Sequence, residues 1–399
     1  MRLFINSLAA SAGGGLTYIR NVIPQLALEP DVKVTVALGA GLRQGFGNST
    51  NVQFLELDVS PVRRYWFEQR YLPELIRDSA ADVLLSTGNF ALKNSPIPQI
   101  LLSRNSIYTS RAFYRDLMAR REYRLLLDTY FRGMLARKSV RWADVTVAPS
   151  EAFARELQHW TGVRVRSIYH GFDWDAFTYA PRPLAADVQS KLDDAKNCLK
   201  LLFVSHYNYY RNFETLIRAL PILRQRLSPR NVKLILTCKL APGENPGAYR
   251  PKAAARLLKD LGVSENVLEL GTVPYEQLHH LYLQADIYVS PAYAETFAHP
   301  LVEAMASALP VVASDIPVHR EICRDAALYF DPFSPQALAA RVLEIADSNE
   351  TKKAMADSGK QRSRDFSWHQ HVKEILELSR TLVTHGSDAE RDASLLGKG

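Results

Sequence analysis

Residues 288–314 read YVSPAYAETFAHPLVEAMASALPVVAS, and the fold turns on this stretch. An apolar, β-prone run ends at Ser290, a loop carries Glu295, and a helix is expected to begin near His299 or Pro300. Proline suits a first helical turn, where its missing N–H costs nothing. Pro310-Val311-Val312 then opens a second buried strand. Strand, helix and strand in such close succession form the repeating unit of a parallel sheet covered by helices.

The same alternation continues outward. This half of the chain has further Val/Ile/Leu-rich runs at Leu199–Ser205, Lys233–Cys238, Val267–Gly271 and Ala327–Asp331. An earlier series stands at Arg2–Asn6, Lys33–Leu38, Val52–Leu57, Asp82–Thr87, Gln99–Arg104 and Asp144–Ser150. Helix-like segments lie near Leu16–Leu28, Arg64–Asp78 and Ser110–Ser139. The expected class is α/β, with two Rossmann-like, doubly wound parallel-sheet domains at 1–178 and 199–367 facing a central cleft. Pro181, Pro183 and many charges make 179–198 read as a linker. A last helix over about 368–384 is expected to pack back on the first domain, and 385–399 to be a flexible tail.

Composition agrees with two domains, because 399 residues is long for one hydrophobic core. Hydrophobic content of 47% with 23% charged residues is ordinary for a globular protein in water. Cys198, Cys238 and Cys323 are too few and too scattered for a disulfide frame or a zinc site, which fits a reducing cytoplasm. The apolar start breaks at Asn6 and Ser7, unlike a secretory signal, and no apolar run suits a membrane-spanning helix. The net charge of +7 favours an anionic partner without naming it.

The chemistry begins at the helix after Glu295. Unpaired amides around Phe297, Ala298 and Leu301 would cradle a pyrophosphate, as helix N-termini do. Glu303 falls in the second turn, where a carboxylate accepts both hydroxyls of a ribose. With Val302 these form the candidate donor-binding set.

Glu295 and Glu303 are separated by seven residues and followed by Ala304-Met305-Ala306 and Pro310-Val311-Val312, which resembles the signature of the family-4 retaining glycosyltransferases of GT-B fold. The resemblance spans Leu3 to about Leu382. It implies a metal-independent, retaining hexosyltransferase that takes a sugar from a nucleotide-sugar donor and needs no cofactor. The implied acceptor is a glycan or lipid-linked oligosaccharide, with mannosyl transfer for a bacterial surface polysaccharide as the suggested setting.

The resemblance also assigns roles. Gly13-Gly14-Gly15-Leu16 is similar to the family's glycine loop, so Gly14 and Gly15 are expected at the donor pyrophosphate. Val204-Ser205-His206 and Arg211-Asn212-Phe213-Glu214 resemble the segment with the family's basic pair. Arg211 stands at its lysine and His206 at its arginine. Val273, in Gly271-Thr272-Val273-Pro274, is implied to pass beside the base, and Glu295 to orient the donor sugar. Many relatives place a histidine near the strand end represented here by Leu101-Leu102-Ser103. Arg104, Asn105 or Ser106 is the acceptor-side candidate in its stead. Ala298 and Ala308 stand where relatives often have glycine, and alanine narrows the allowed backbone.

Two features leave alternatives open. From Ser110 to Trp142 nine cations, among them Arg120, Arg132 and Arg137, interleave with aromatic and aliphatic residues. That pattern reads either as a basic amphipathic helix on an anionic membrane or as an ordinary solvated face. No recognised nucleic-acid module surrounds the charges. Asp173-Trp174-Asp175 has a metal-binding spacing but sits where turns and caps are expected. The competing functions are a sugar-nucleotide 2-epimerase of the same fold and a degenerate relative that only binds.

Overall fold

The computed structural model describes residues 1–10, 13–179, 182–245 and 247–396, with side chains described as far as Thr384. The first strand series forms β1 (Arg2–Asn6), β2 (Lys33–Gly39), β3 (Val52–Leu57), β4 (Val83–Ser86), β5 (Gln99–Leu102), β6 (Val145–Ala148) and β7 (Val165–Ser167). They build one parallel sheet in the order β3-β2-β1-β4-β5-β6-β7. The second series forms β8 (Cys198–Phe203), β9 (Asn231–Leu236), β10 (Val267–Glu269), β11 (Ile287–Ser290), β12 (Val311–Ser314) and β13 (Ala327–Phe330). Their order is β10-β9-β8-β11-β12-β13, again parallel throughout. β7 was not expected, because Val165-Arg166-Ser167 is short and largely polar.

Aspartates at strand starts help to set the register. Asp82, Asp144 and Asp286 each accept a 2.7 Å hydrogen bond from the first or third backbone amide of the neighbouring strand, at Arg2, Gln99 and Lys200. Every residue of β4, β5, β11 and β12 is buried, as expected of strands covered on both faces. Each fully buried Val, Leu or Ile contributes about 1.5–3 kcal/mol.

The chain divides into two compact units. One comprises Met1–Thr109, Asp128–Gly171 and the chain from Ser367; the other comprises Ser110–Leu127 and Phe172–Phe366. Within the first unit the last helix, Trp368–Leu396, buries Trp368, Val372, Ile375 and Leu376 in the core beneath β1, β2 and β4. Gly171 makes room for it, since a Cβ there would lie 2.1 Å from the Trp368 nitrogen.

Several boundaries differ from the sequence reading. The stretch 172–198 belongs to the second unit, and its expected linker holds a helix, Ala186–Asp193, that buries Val188 and Leu192 one turn apart. The last helix continues past 384 to Leu396 where a flexible tail was expected, and residues 397–399 lie outside the described residues. The basic segment is two helices, Arg111–Ala119 and Tyr123–Trp142, broken where Arg121 adopts φ 58°.

The first of those helices sits in the second unit because its charges are satisfied there. Arg120 bonds Asp116 and Glu214, each at 2.8 Å, and lies 4.3 Å above the Tyr209 ring. Tyr207 and Tyr293 donate to Glu214 and Asp116 at 2.9 and 2.8 Å. Arg120 is thus a packed network residue, and Arg132 is paired with Asp128 at 2.9 Å. Two of the nine cations over 110–142 are therefore held by carboxylates.

Candidate functional site

In the second sheet the strand order reverses between β8 and β11, and the loops that leave these two strands carry the candidate residues. Arg211 ends a short turn after β8, and its guanidinium is ion-paired with Glu295 in the loop after β11. The Glu295 side chain is 8% exposed and that of Arg211 21%, so the pair is largely withdrawn from water. Arg211 Nε has no hydrogen-bond partner among the described residues.

Asn212 fixes this geometry. It occupies the left-handed region at φ 58°, which asparagine tolerates better than most residues. Its buried amide donates to the carbonyls of Pro291, at 3.0 Å, and Pro332, while Oδ1 accepts from Thr215 at 2.9 Å. One side chain therefore ties together the loops after β8, β11 and β13.

The helix His299–Ala306 follows Ala298, which adopts φ 66°. Ala298 and Ala308, at φ 54°, both take the conformation that glycine favours. The Leu301 amide donates to the Ala298 carbonyl at 3.0 Å, so it is not among the open amides expected there. The Phe297, Leu301 and Val302 side chains are core residues beneath the loop. Glu303 is buried, and Tyr282 donates to its Oε2 at 2.8 Å. Burial raises the Glu303 pKa to about 7, against the stabilising effect of the Tyr282 bond.

His206 is exposed on the loop after β8, and partial burial of its ring together with the Arg211 charge lowers its pKa. Val273 is buried in the loop between Gly271, at φ 79°, and the helix Tyr275–Leu283. A histidine that the sequence reading passed over, His319, is fully buried near Arg211. It is held by Ser314 Oγ at 2.9 Å, and burial lowers its pKa to about 3. Asp173 Oδ1 accepts from the Ala176 amide at 3.0 Å, a capping role for Asp173-Trp174-Asp175.

In the first unit the strand order reverses between β1 and β4. Gly14 and Gly15 lie in the first turn of the helix Gly13–Ala27, and a Cβ on Gly15 would come within 3.2 Å of Ala10 Cα. Arg104, just past β5, donates to the carbonyls of Gly14 and Thr87 at 2.8 Å each, and lies 5.0 Å from the Tyr18 ring. Desolvation lowers its pKa to about 10. Asn105 instead caps a local turn by accepting from the Ile107 amide at 3.2 Å, and Ser106 is buried within that turn. Of the three acceptor-side candidates, the structure brings Arg104 to the glycine loop.

Glu68 was missed by the sequence reading. It is the buried residue of the helix Arg64–Arg70, and no residue type or spacing around it signals that burial.

Comparisons with known proteins agree with this geometry. Residues 12–176 match the family described as Glycosyltransferase Family 4, and residues 187–362 match Glycosyl transferases group 1. A D-inositol 3-phosphate glycosyltransferase of Corynebacterium glutamicum is 30% identical over 251 residues, 61% of this chain and 58% of that protein. The O-antigen chain mannosyltransferase B of Escherichia coli is 31% identical over 28% of this chain and 30% of its own length. The matched segment thus spans less than two thirds of these curated relatives. Sucrose-phosphate synthase from Thermosynechococcus elongatus superposes with a TM-score of 0.75 at 18% identity, covering 96% of this chain and 100% of that one. Anabaena HepE in complex with UDP-glucose gives 0.70 at 17% identity over 96% and 100%. At those identities the likeness shows the fold, which is GT-B.

Proposed function

Because this chain belongs to the family-4 glycosyltransferases of GT-B fold, we propose that it transfers a hexosyl group, with retention and without metal, from a nucleotide-sugar to a glycan or lipid-linked acceptor. The observation that carries the reading is the Arg211–Glu295 pair beside β8 and β11, at the point where such sheets bind ligands. Arg211 supplies a forked cation for the departing diphosphate, and Glu295 supplies oxygens for sugar hydroxyls. Each holds the other in place until a donor replaces the pairing. Glu303 is the ribose acceptor, and Tyr282 orients its carboxylate. His206 contributes a neutral hydrogen bond at pH 7, since its surroundings disfavour the charged ring.

Retaining transfer without a second carboxylate as nucleophile calls for same-face attack. Its barrier falls chiefly through stabilisation of the leaving diphosphate. A mannosyl donor and a surface-polysaccharide acceptor are the finer reading, supported by the segment shared with the E. coli mannosyltransferase. The test is thermal stabilisation of the full chain by UDP-, GDP-, ADP- and dTDP-sugars, with and without EDTA. A shift with one nucleotide, unchanged by chelator and lost in Glu303→Ala, is the expected result. No shift with any nucleotide would defeat the transferase reading in favour of a partner-binding protein.

A further inference from the structure

Glu68 is an unusual residue for a helix to bury. It is 4% exposed, and its neighbours satisfy it poorly: Asn6 donates to Oε1 at 3.3 Å, and Arg64 Nε stands 3.8 Å from the same oxygen. Among the described residues Oε2 receives no hydrogen bond, and it is not among the fully enclosed unpaired atoms, so it keeps an opening to the surface. A buried carboxyl ordinarily gathers several donors, because leaving its oxygens unpaired costs more than making the bonds gains. Its burial also raises its pKa to about 7.

The surroundings narrow what the open oxygen is for. Arg64, Tyr65 and Glu68 fall on one face of their helix, spaced three and four residues apart. Asn6 comes from the carboxyl end of β1, where parallel sheets bind ligands. The Tyr65 ring meets Phe90 edge-on at 6.4 Å, and its hydroxyl has no hydrogen-bond partner among the described residues. The Glu68 carboxyl repels a phosphate, and Arg64 repels a cation. A neutral polyol matches both, since its hydroxyls donate to the carboxyl and accept from the guanidinium and the phenol. Tyr65 and Phe90 are half-buried, so their rings offer apolar surface to its C–H groups.

We propose that Asn6, Arg64, Tyr65, Glu68 and Phe90 form a subsite for an uncharged sugar ring of the acceptor, with Glu68 as its hydroxyl anchor. This rests on the transferase reading above and adds the acceptor's chemistry: a neutral glycosyl unit at this position rather than a phosphorylated one. Saturation-transfer NMR of the full chain tests it, with methyl α-D-mannopyranoside, methyl α-D-glucopyranoside and myo-inositol 1-phosphate as probes.

A methyl glycoside is expected to give signals that fall at least fivefold in Glu68→Gln and in Tyr65→Leu. Thermal stabilisation by the donor nucleotide should be unchanged in both variants, which establishes that they fold. Undiminished glycoside signals in Glu68→Gln, or no glycoside signal from the native chain, would overturn the subsite. So would signals from the inositol phosphate alone. If the nucleotide shift persists in any of these cases, the subsite fails while the transferase reading stands. Loss of the nucleotide shift from the native chain would instead remove the transferase reading.

Discussion

Glu303 makes the donor site pH-dependent in a calculable way. The free protein holds this carboxyl at a pKa of about 7, because burial penalises its charge. A ribose that donates both hydroxyls binds the ionised form and draws the pKa back towards its ordinary value. Donor affinity then follows the ionised fraction, about 0.09 at pH 6 and about 0.9 at pH 8 for a pKa near 7. That is roughly a tenfold gain in affinity, or about 1.4 kcal/mol. The assay is calorimetric titration with a nucleotide-sugar between pH 5.5 and 8.5. An intact sugar diphosphate is the right ligand because its diester phosphates do not titrate near neutrality.

Two variants separate this cause from others. Glu303→Gln should bind more weakly at pH 8 and lose the pH dependence. Tyr282→Phe removes the bond that favours the charged carboxylate, so the midpoint should move to higher pH. His206 acts in the opposite sense, since protonation at low pH would strengthen its contact with phosphate. A flat native profile, or a slope that survives in Glu303→Gln, would refute the placement of ribose on Glu303.

Other consequences follow from the same geometry. Arg211→Ala and Glu295→Gln should each lower kcat by about 10²- to 10³-fold, the usual scale for losing one preorganised charge contact, and steady-state kinetics on the identified donor measures it. Asn212→Ala deletes three hydrogen bonds and should cost about 3 kcal/mol in denaturant unfolding. Ala308→Gly should stabilise by about 0.5–1 kcal/mol, because the exposed Ala308 closes its helix at φ 54° where glycine carries no steric cost, and a higher Tm reports it. The apo protein should lose stability as pH rises from about 4.5 to about 7. In that window the unfolded chain ionises Glu68 and Glu303 while the folded chain keeps them protonated, and the double Gln variant should flatten the curve. Vesicles containing anionic phosphatidylglycerol should sediment the chain more than neutral ones if the exposed Tyr130, Phe131 and Met134 meet lipid beside Arg137 and Lys138; equal sedimentation would leave that helix face merely solvated.

How much of this was legible depended on the range of the interaction that shapes each part. Strand positions were readable to within two residues because a doubly covered strand must be continuously apolar, as Leu84-Leu85 and Val311-Val312 are. The Glu295 and Glu303 region was legible because loop, helix start and carboxylate lie within one short stretch. By contrast, the amide of Leu301 is capped by its own loop, which spacing does not reveal. The helix at 186–193 was hidden by the prolines and charges around it, although Val188 and Leu192 carry the helical spacing.

The two largest surprises share one cause. Arg120 looked like one cation in a basic run, and Glu68 drew no reading of its own. What changes both is a partner far along the chain: Glu214 for Arg120, 94 residues away, and Asn6 for Glu68, 62 residues away. Local composition weighs a charge by its neighbours in sequence, whereas its energy is set by what replaces water around it. Arg120 obtains two carboxylates and a ring face, so it is fully compensated and anchors its helix. Glu68 obtains a long amide bond and a distant guanidinium, so it is not compensated. The first is accounted for by folding alone, and the second leaves one oxygen open for the hydroxyl that the proposed subsite would supply.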